Sequence, residues 1–227
     1  MTRSRCAMVI SIPRAGSSCV AGALHRLGVD MGTGHFQGKD KANPRGYYED
    51  LQWRYANQRV TGRGYDAERA VKVKPGKKQK QIWRELAAQY KSKSLWGMKD
   101  PWLCFVGRHV WKALREEDVN VRAVFVRRDF EASCASICKH IQKSYRGKYR
   151  MKPSEIASTW LWAFEQRRAE WDGESLDVWY EELLADPDAE IRRMAGFCYA
   201  GLEIPIPGIS DAVKWVSPAL QHFKGGR

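Results

Sequence analysis

The stretch AMVISIPRAGSSCVAGALHRL, residues 7–27, holds the side chains with the most evident chemical potential. Its first residues, Ala7–Ile12, are apolar and too few for a helix, and they include β-branched side chains, which predicts a buried strand. A helix is predicted beyond the loop because apolar residues recur at i, i+4 and i+7 from Val20. The loop between the two elements, Pro13–Gly16, therefore lies where a strand leads into the N-terminus of a helix.

This arrangement predicts a binding site for an anion. The first N–H groups of a helix have no partner within the helix, and the helix dipole places partial positive charge at the same end. Either Ser17 or Ser18 is a suitable N-cap residue. Arg14 adds a planar guanidinium group whose N–H donors match phosphate or sulfate oxygens.

The loop departs from the pattern G-x-x-x-x-G-K-[ST] of nucleoside-triphosphate-binding loops. Ser11 stands at the first glycine, Gly16 at the second, Ser17 at the lysine and Ser18 at the last position. The lysine that reaches the β- and γ-phosphates is therefore missing. This disfavours an ordinary ATPase or kinase and favours a phosphate-binding loop that uses arginine and needs no nucleoside triphosphate.

Further charged residues follow two other predicted strands. Lys99 and Asp100 lie at the end of the strand LWGMK, and Arg127 and Arg128 follow the strand VRAVFV. Strands that alternate with helices predict an α/β fold: a three-layer sandwich with a central parallel sheet and helices on both faces, of the P-loop nucleotide-binding type. Because ligands of such sheets bind outside the carboxyl ends of the strands, we expect these residues to share one edge with Arg14.

The length of 227 residues is consistent with one domain, and we expect residues 1–227 to form it. Two basic segments, 61–80 and 143–153, are expected to be mobile loops. The first of them could serve as a lid or as an acceptor-binding loop, since long loops are often functional. After a strand at Leu176–Trp179, one helix is expected from Glu182 to Tyr199.

Composition narrows the class of protein. The formal net charge of +13 indicates an anionic ligand or surface, and 44% hydrophobic residues exclude a disordered chain. No apolar stretch has the length of a membrane-spanning helix, and no signal peptide is evident, so we expect a cytoplasmic protein. The six cysteines form no C-x-x-C pair and no zinc pattern, so we expect no bound metal.

Taken together, these positions resemble the sulfotransferases that use 3′-phosphoadenosine-5′-phosphosulfate (PAPS). The segment IPRAGSSCVAGALHRLGV resembles the family's loop for the 5′-phosphosulfate. VFVRRDFEASCASI resembles the motif for the 3′-phosphate, in which an arginine and a serine eight residues later hold that group. NPRGYYED, KDP and DVWYEELLADPDAEIRRMAGF resemble further segments of the family. The C-terminal R-K-G motif of the family is only echoed, at Phe223–Arg227.

The resemblance implies in-line transfer of a sulfuryl group from PAPS to a hydroxyl or amine, with 3′-phosphoadenosine-5′-phosphate (PAP) as product and no metal. It assigns the 5′-phosphosulfate to the loop residues Arg14, Ala15, Gly16, Ser17 and Ser18. It assigns the 3′-phosphate to Arg128 and Ser136. Arg14 also counts among the catalytic residues, and Lys99 is expected to neutralise the bridging oxygen as it leaves. Arg127, which alternates to the other face of its strand, is not expected to bind the donor.

The general base is left open among three residues. The histidine base of many family members, in a K-T-H segment, has no counterpart here, because the related stretch reads Lys99-Asp100-Pro101. Glu49 is the first choice, since the turn after Gly46 can bring it to the edge of the sheet. Asp100 is the second choice and His35 the third.

Two other functions remain alternatives. One is a P-loop phosphotransferase such as a kinase. The other is a non-catalytic nucleic-acid-binding protein that uses Lys72–Lys80 and Lys139–Lys152, where Tyr145 and Tyr149 interleave with basic residues. We do not expect nucleic acid as the partner, because no recognised motif for it occurs. The expected partner is a small-molecule or carbohydrate acceptor, whose identity the sequence leaves open, as it leaves open the oligomeric state.

Overall fold

A parallel β-sheet forms the centre of the protein. The structure is a computed structural model that describes residues 3–32, 43, 45–62, 64–65, 67–145 and 147–216. The strands of the sheet are β1 (Arg5–Ile10), β2 (Leu95–Lys99), β3 (Asn120–Arg127) and β4 (Ser175–Trp179). They are all parallel and lie in the order β2-β1-β3-β4. The predicted fold class, an α/β sandwich with a central parallel sheet, is confirmed.

The register of the sheet aligns the carboxyl ends of its strands. Val9 of β1 pairs with Lys99 of β2, and Ile10 pairs with Phe125 of β3. The loops that leave these strands therefore open at one edge. This is why residues more than a hundred positions apart in sequence can contribute to one site.

Helices cover both faces of the sheet. They are α1 (Ser17–Arg26), α2 (Leu51–Thr61), α3 (Ala67–Val71), α4 (Lys77–Ala88), α5 (Leu103–Glu116), α6 (Phe130–Ser144), α7 (Pro153–Ala169), α8 (Tyr180–Ala185), α9 (Pro187–Tyr199) and α10 (Ile209–Trp215). Alternate residues of β1 point into two separate cores. Met8 and Ile10 pack with α2 to α7, whereas Ala7 and Val9 pack with α1, α8, α9 and α10.

Two expectations about helices are wrong. The single helix expected from Glu182 to Tyr199 is two helices, because Pro187 occupies the first position of α9 and Asp186 caps it by accepting a hydrogen bond from the N–H of Ala189. The segment 61–80, expected to be a loop, contains α3 and the first turn of α4. In the second basic segment, residues 145 and 147–152 are non-helical, whereas residues 143 and 144 end α6 and Pro153 begins α7.

The close approach of α1 and α10 depends on a glycine. A Cβ added at Gly22 would lie 2.5 Å from the indole ring of Trp215, whose Nε1 donates to the carbonyl oxygen of Cys19 at 2.9 Å. Gly196, in the middle of α9, has open space where a Cβ would be. Both glycines therefore lie in helices, but only Gly22 has a side chain packed where a Cβ would be.

We predict that Gly22→Ala destabilises the protein by about 1–3 kcal/mol, because overpacking outweighs the gain in helix propensity. The matched variant Gly196→Ala should stabilise it by about 0.5–1 kcal/mol. Urea unfolding measures both. A stabilised Gly22→Ala variant would contradict the close packing of α1 against α10.

Candidate active site

A cleft of about 880 Å³ opens at the carboxyl edge of the sheet. It brings together most of the residues that the sequence singled out. Those that line it are Arg14, Gly16, Ser17, Ser18, Glu49, Lys99, Asp100, Arg128 and Ser136. Ala15 does not line the cleft; its side chain is buried in the core that α2 to α7 share with the sheet. His35 and Phe223–Arg227 lie outside the described residues.

The loop after β1 has the geometry of an anion site, with one correction to its predicted details. Neither serine is the N-cap of α1. The N-cap is Gly16, in the left-handed region with φ of 91°, and no side chain caps this end of the helix. A serine is disfavoured there because of this backbone conformation, and because an added Cβ would clash with the ring of Tyr180. Ser17 and Ser18 instead form the first turn, so that their N–H groups face the loop.

Two arginines border this loop. Arg128 donates from Nη1 to the carbonyl oxygen of Arg14 at 2.9 Å, and its guanidinium carbon lies 5.5 Å from the centre of the Tyr180 ring. Burial lowers the pKa of Arg128, with Glu181 opposing the shift. The Nε of Arg14 is buried and makes no hydrogen bond within the described residues. Arg128 is thus held against the loop that carries Arg14, and guanidinium groups suit the binding of an anion.

Arg127 is held away from the cleft. Its Nε donates to Asp177 and its Nη1 to Glu165, both at 2.8 Å. Ser136 lies within α6, where it is buried and lines the cleft. The start of α6 is fixed by Asp129, which accepts a hydrogen bond from the N–H of Ala132 at 2.8 Å.

A buried ion pair lies at the end of β2. The Nζ of Lys99 is 2.5 Å from Oε1 of Glu49, and the two side chains are only 4% and 6% exposed. The same Nζ lies 3.4 Å from the hydroxyl of Ser18, and the other carboxylate oxygen of Glu49 lies 3.4 Å from Nη1 of Arg54. Lys99 therefore connects the first turn of α1 with the carboxylate expected to act as base.

The carboxylate of Asp100 is held by hydrogen bonds within the core. Its Oδ2 accepts from Nδ2 of Asn57 at 2.7 Å, and its Oδ1 accepts from the N–H of Trp102 at 3.2 Å. The amide oxygen of Asn57 in turn accepts from Nε1 of Trp83 at 3.0 Å. Burial, together with the nearby charge of Glu49, raises the pKa of Asp100 to about 7.

The cleft also contains residues that sequence reasoning missed. Arg54 and Tyr65 line one part of it, and Tyr180 and Trp215 line another. The sequence contained a signal that Tyr180 lies at the cleft, because Tyr180 directly follows β4, just as Arg128 directly follows β3. Trp102 also lines the cleft, whereas Trp53 is buried and stacks on Trp96 at 6.0 Å.

Comparison with known proteins identifies the family. The model of the sulfotransferase family matches residues 7–205, which is most of the chain. The chain therefore belongs to the sulfotransferase family. No curated protein is matched significantly by sequence.

Solved structures with the same fold include two sulfotransferase domains. One is the sulfotransferase domain of the olefin synthase from Synechococcus PCC 7002, with a TM-score of 0.51 and 18% identity over 98% of this chain and 81% of that one. The other is the sulfotransferase domain of the curacin biosynthetic pathway, with a TM-score of 0.50 and 14% identity over 91% and 76% of the two chains. In the described part of this chain, no helix has the length and apolar character needed to cross a membrane.

We predict a pH dependence of stability that is centred on Asp100. Because its pKa is raised in the folded state, the folded protein binds the proton more tightly than the unfolded chain. The stabilisation that this proton provides is complete below about pH 4, the pKa of the Asp100 carboxyl in the unfolded chain. It is lost as the pH rises to about 7. Between pH 5 and pH 8, the unfolding free energy of wild type should therefore fall relative to Asp100→Asn by more than about 1 kcal/mol. Urea unfolding at both pH values measures this difference, and a constant difference would contradict the assignment.

Proposed function

We propose that this sulfotransferase uses PAPS as donor and transfers its sulfuryl group to a hydroxyl or amine, releasing PAP. The observation that carries the proposal is the position of Lys99. One buried cation lies beside both the first turn of α1 and the carboxylate of Glu49. A donor anion in the loop and an acceptor hydroxyl at Glu49 would therefore meet at the same ammonium group.

The residues present fit this donor. The uncapped N-terminus of α1 offers donors to the 5′-phosphosulfate, as does the Nε of Arg14, which makes no hydrogen bond within the described residues. Arg128 and Ser136, on the loop and helix after β3, line the same cleft and suit the 3′-phosphate. The spacing of eight residues between them is the one the family motif carries.

The chemistry assigned to the residues is simple. Glu49 accepts the proton of the acceptor hydroxyl, whose oxygen forms a bond to sulfur while the bond from sulfur to the 5′-phosphate oxygen breaks. Lys99 and Arg14 offset the negative charge that collects on the leaving oxygen. Less negative charge moves here than in transfer from ATP, so cationic side chains can take the place of Mg²⁺. Positioning and electrostatics supply most of the rate, as in phosphoryl transfer.

The acceptor is proposed to be a small molecule or a carbohydrate, and the cytoplasm remains the location predicted by the sequence. Family membership speaks against the two alternatives, a kinase and a non-catalytic nucleic-acid-binding protein.

The two neighbouring arginines after β3 provide a matched test of donor binding. We predict that Arg128→Ala weakens PAP binding about 10- to 100-fold, because charge-assisted hydrogen bonds contribute about 1.5–3 kcal/mol each. Arg127→Ala should leave the affinity within about twofold, since Arg127 is held by Asp177 and Glu165. Calorimetric titration with PAP measures both, and equal effects of the two variants would contradict the assignment.

The base is tested by Glu49→Gln. We predict that transfer of ³⁵S from labelled PAPS to a panel of hydroxyl acceptors falls about 10²- to 10⁴-fold, because positioned bases supply rates of that order. PAP affinity serves as the control for intact donor binding. Turnover within about twofold of wild type would remove Glu49 from the role of base.

A further inference from the structure

The part of the cleft beyond Glu49 is bounded by two walls. Tyr55 and Gln58 of α2 form one, and His140 and Ser144 of α6 contribute to the other. Tyr65 lies between these helices in sequence and lines the same cleft. The loop after β1, Arg128 and Ser136 are assigned to the donor, which leaves this part of the lining for an acceptor.

Both backbone polar groups of Tyr65 are hydrogen-bonded to aromatic side chains. Its N–H donates to the hydroxyl of Tyr149 at 2.8 Å, and its carbonyl oxygen accepts from Nε1 of Trp160 at 3.3 Å. Its ring meets the ring of Tyr145 with centres 5.6 Å apart and that of His140 at 5.4 Å. The acceptor part of the cleft therefore has a preset aromatic wall, against which a flat ring can pack.

Tyr65 and Glu49 line the same cleft. Burial raises the pKa of Tyr65, while the charge of Arg14 opposes the shift and that of Glu49 adds to it. A ring alcohol that packs on Tyr65 therefore lies in the same cleft as the proposed base.

The chain segments that border this part of the cleft are rich in basic residues. Residues 51–65 and 132–154 contain nine lysine and arginine residues, and acids stand directly outside these segments at positions 50, 66, 131 and 155. The Nζ of Lys148 lies 5.4 Å from the centre of the Tyr145 ring, and Lys143 directly precedes Ser144, which lines the cleft. Both lysines are exposed, and neither takes part in an ion pair within the described ranges.

On surfaces away from the cleft, many basic residues are neutralised by a neighbour. Arg168 contacts Asp177 at 2.8 Å, Arg192 contacts Asp188 at 2.8 Å, and Lys91 contacts Glu117 at 2.6 Å. Lys143 and Lys148 differ from these three residues, because no ion pair within the described ranges neutralises them. Exposed unpaired lysines attract anions and repel cations, and the effect weakens with salt.

We propose, on the basis of the proposed sulfotransfer, that the acceptor is an anionic ring alcohol. Its ring packs on Tyr65 and Tyr145, its hydroxyl reaches Glu49, and its anionic group lies at Lys143 and Lys148. An aryl ring and a pyranose ring share this chemistry.

The test measures binding of charged and neutral ring alcohols to the protein saturated with PAP. PAP is titrated first, so that failure of donor binding, which would overturn the proposed function, is seen separately. Three phenols with different para substituents follow: 4-hydroxybenzoate, 4-hydroxybenzyl alcohol and tyramine. We expect 4-hydroxybenzoate to bind about three- to tenfold more tightly than the neutral alcohol, and tyramine to bind most weakly. Methyl glucuronide and methyl glucoside, as a second pair, show whether a pyranose gives the larger ratio.

Variants locate the origin of this preference. In Lys143→Gln/Lys148→Gln, the ratio between the anionic and neutral compounds should fall to within about twofold. In the control Lys91→Gln/Lys112→Gln, whose exposed lysines lie outside the segments 51–65 and 132–154, the ratio should persist. The proposal is overturned if wild type shows no preference for the anion or binds none of the ring compounds. It is equally overturned if the preference survives in Lys143→Gln/Lys148→Gln, which would place the anion at Arg14 and Lys99, or if the control loses it as well.

Discussion

The buried ion pair between Lys99 and Glu49 is the contact on which the site depends. An ammonium group that is almost fully removed from water is costly unless an opposite charge and hydrogen bonds compensate it. Glu49 supplies that charge, and Arg54 supports Glu49 from the other side. Removing one member of such a pair typically costs about 3–5 kcal/mol, because the other charge is left buried alone. The pair therefore holds the turn before α2 against the end of β2.

A second set of buried contacts supports the same junction. Asp100, the residue after Lys99, is bonded to Asn57 of α2, and Asn57 is bonded to Trp83 of α4. These links join β2, α2 and α4 in the core. The buried polar groups of Asp100, Asn57 and Trp83 form hydrogen bonds with one another. The free-energy cost of burying them is therefore offset only when β2, α2 and α4 are all in place. The position of Glu49 relative to Lys99 is thus set by the core as well as by their own attraction.

Much of this arrangement could be predicted from local sequence. Short runs of apolar residues predicted the strands. Because the loops that follow parallel strands lie at one edge of the sheet, Arg14, Lys99 and Arg128 were predicted to lie together. The N-cap at Gly16 was missed because it depends on a positive φ and on the ring of Tyr180, which is distant in sequence. The aromatic wall was missed for a similar reason. Tyr65 and Tyr149 are 84 residues apart, and no periodicity connects them.

The most direct test of the account is a comparison of two donors under the same conditions. The protein is incubated with a mixture of hydroxyl acceptors and either [³⁵S]PAPS or [γ-³²P]ATP with Mg²⁺. We expect transfer of ³⁵S to an acceptor and no transfer of ³²P, because the loop lacks the lysine of triphosphate-binding loops and carries Arg14. Transfer of ³²P, or failure to transfer ³⁵S although PAP binds, would contradict it.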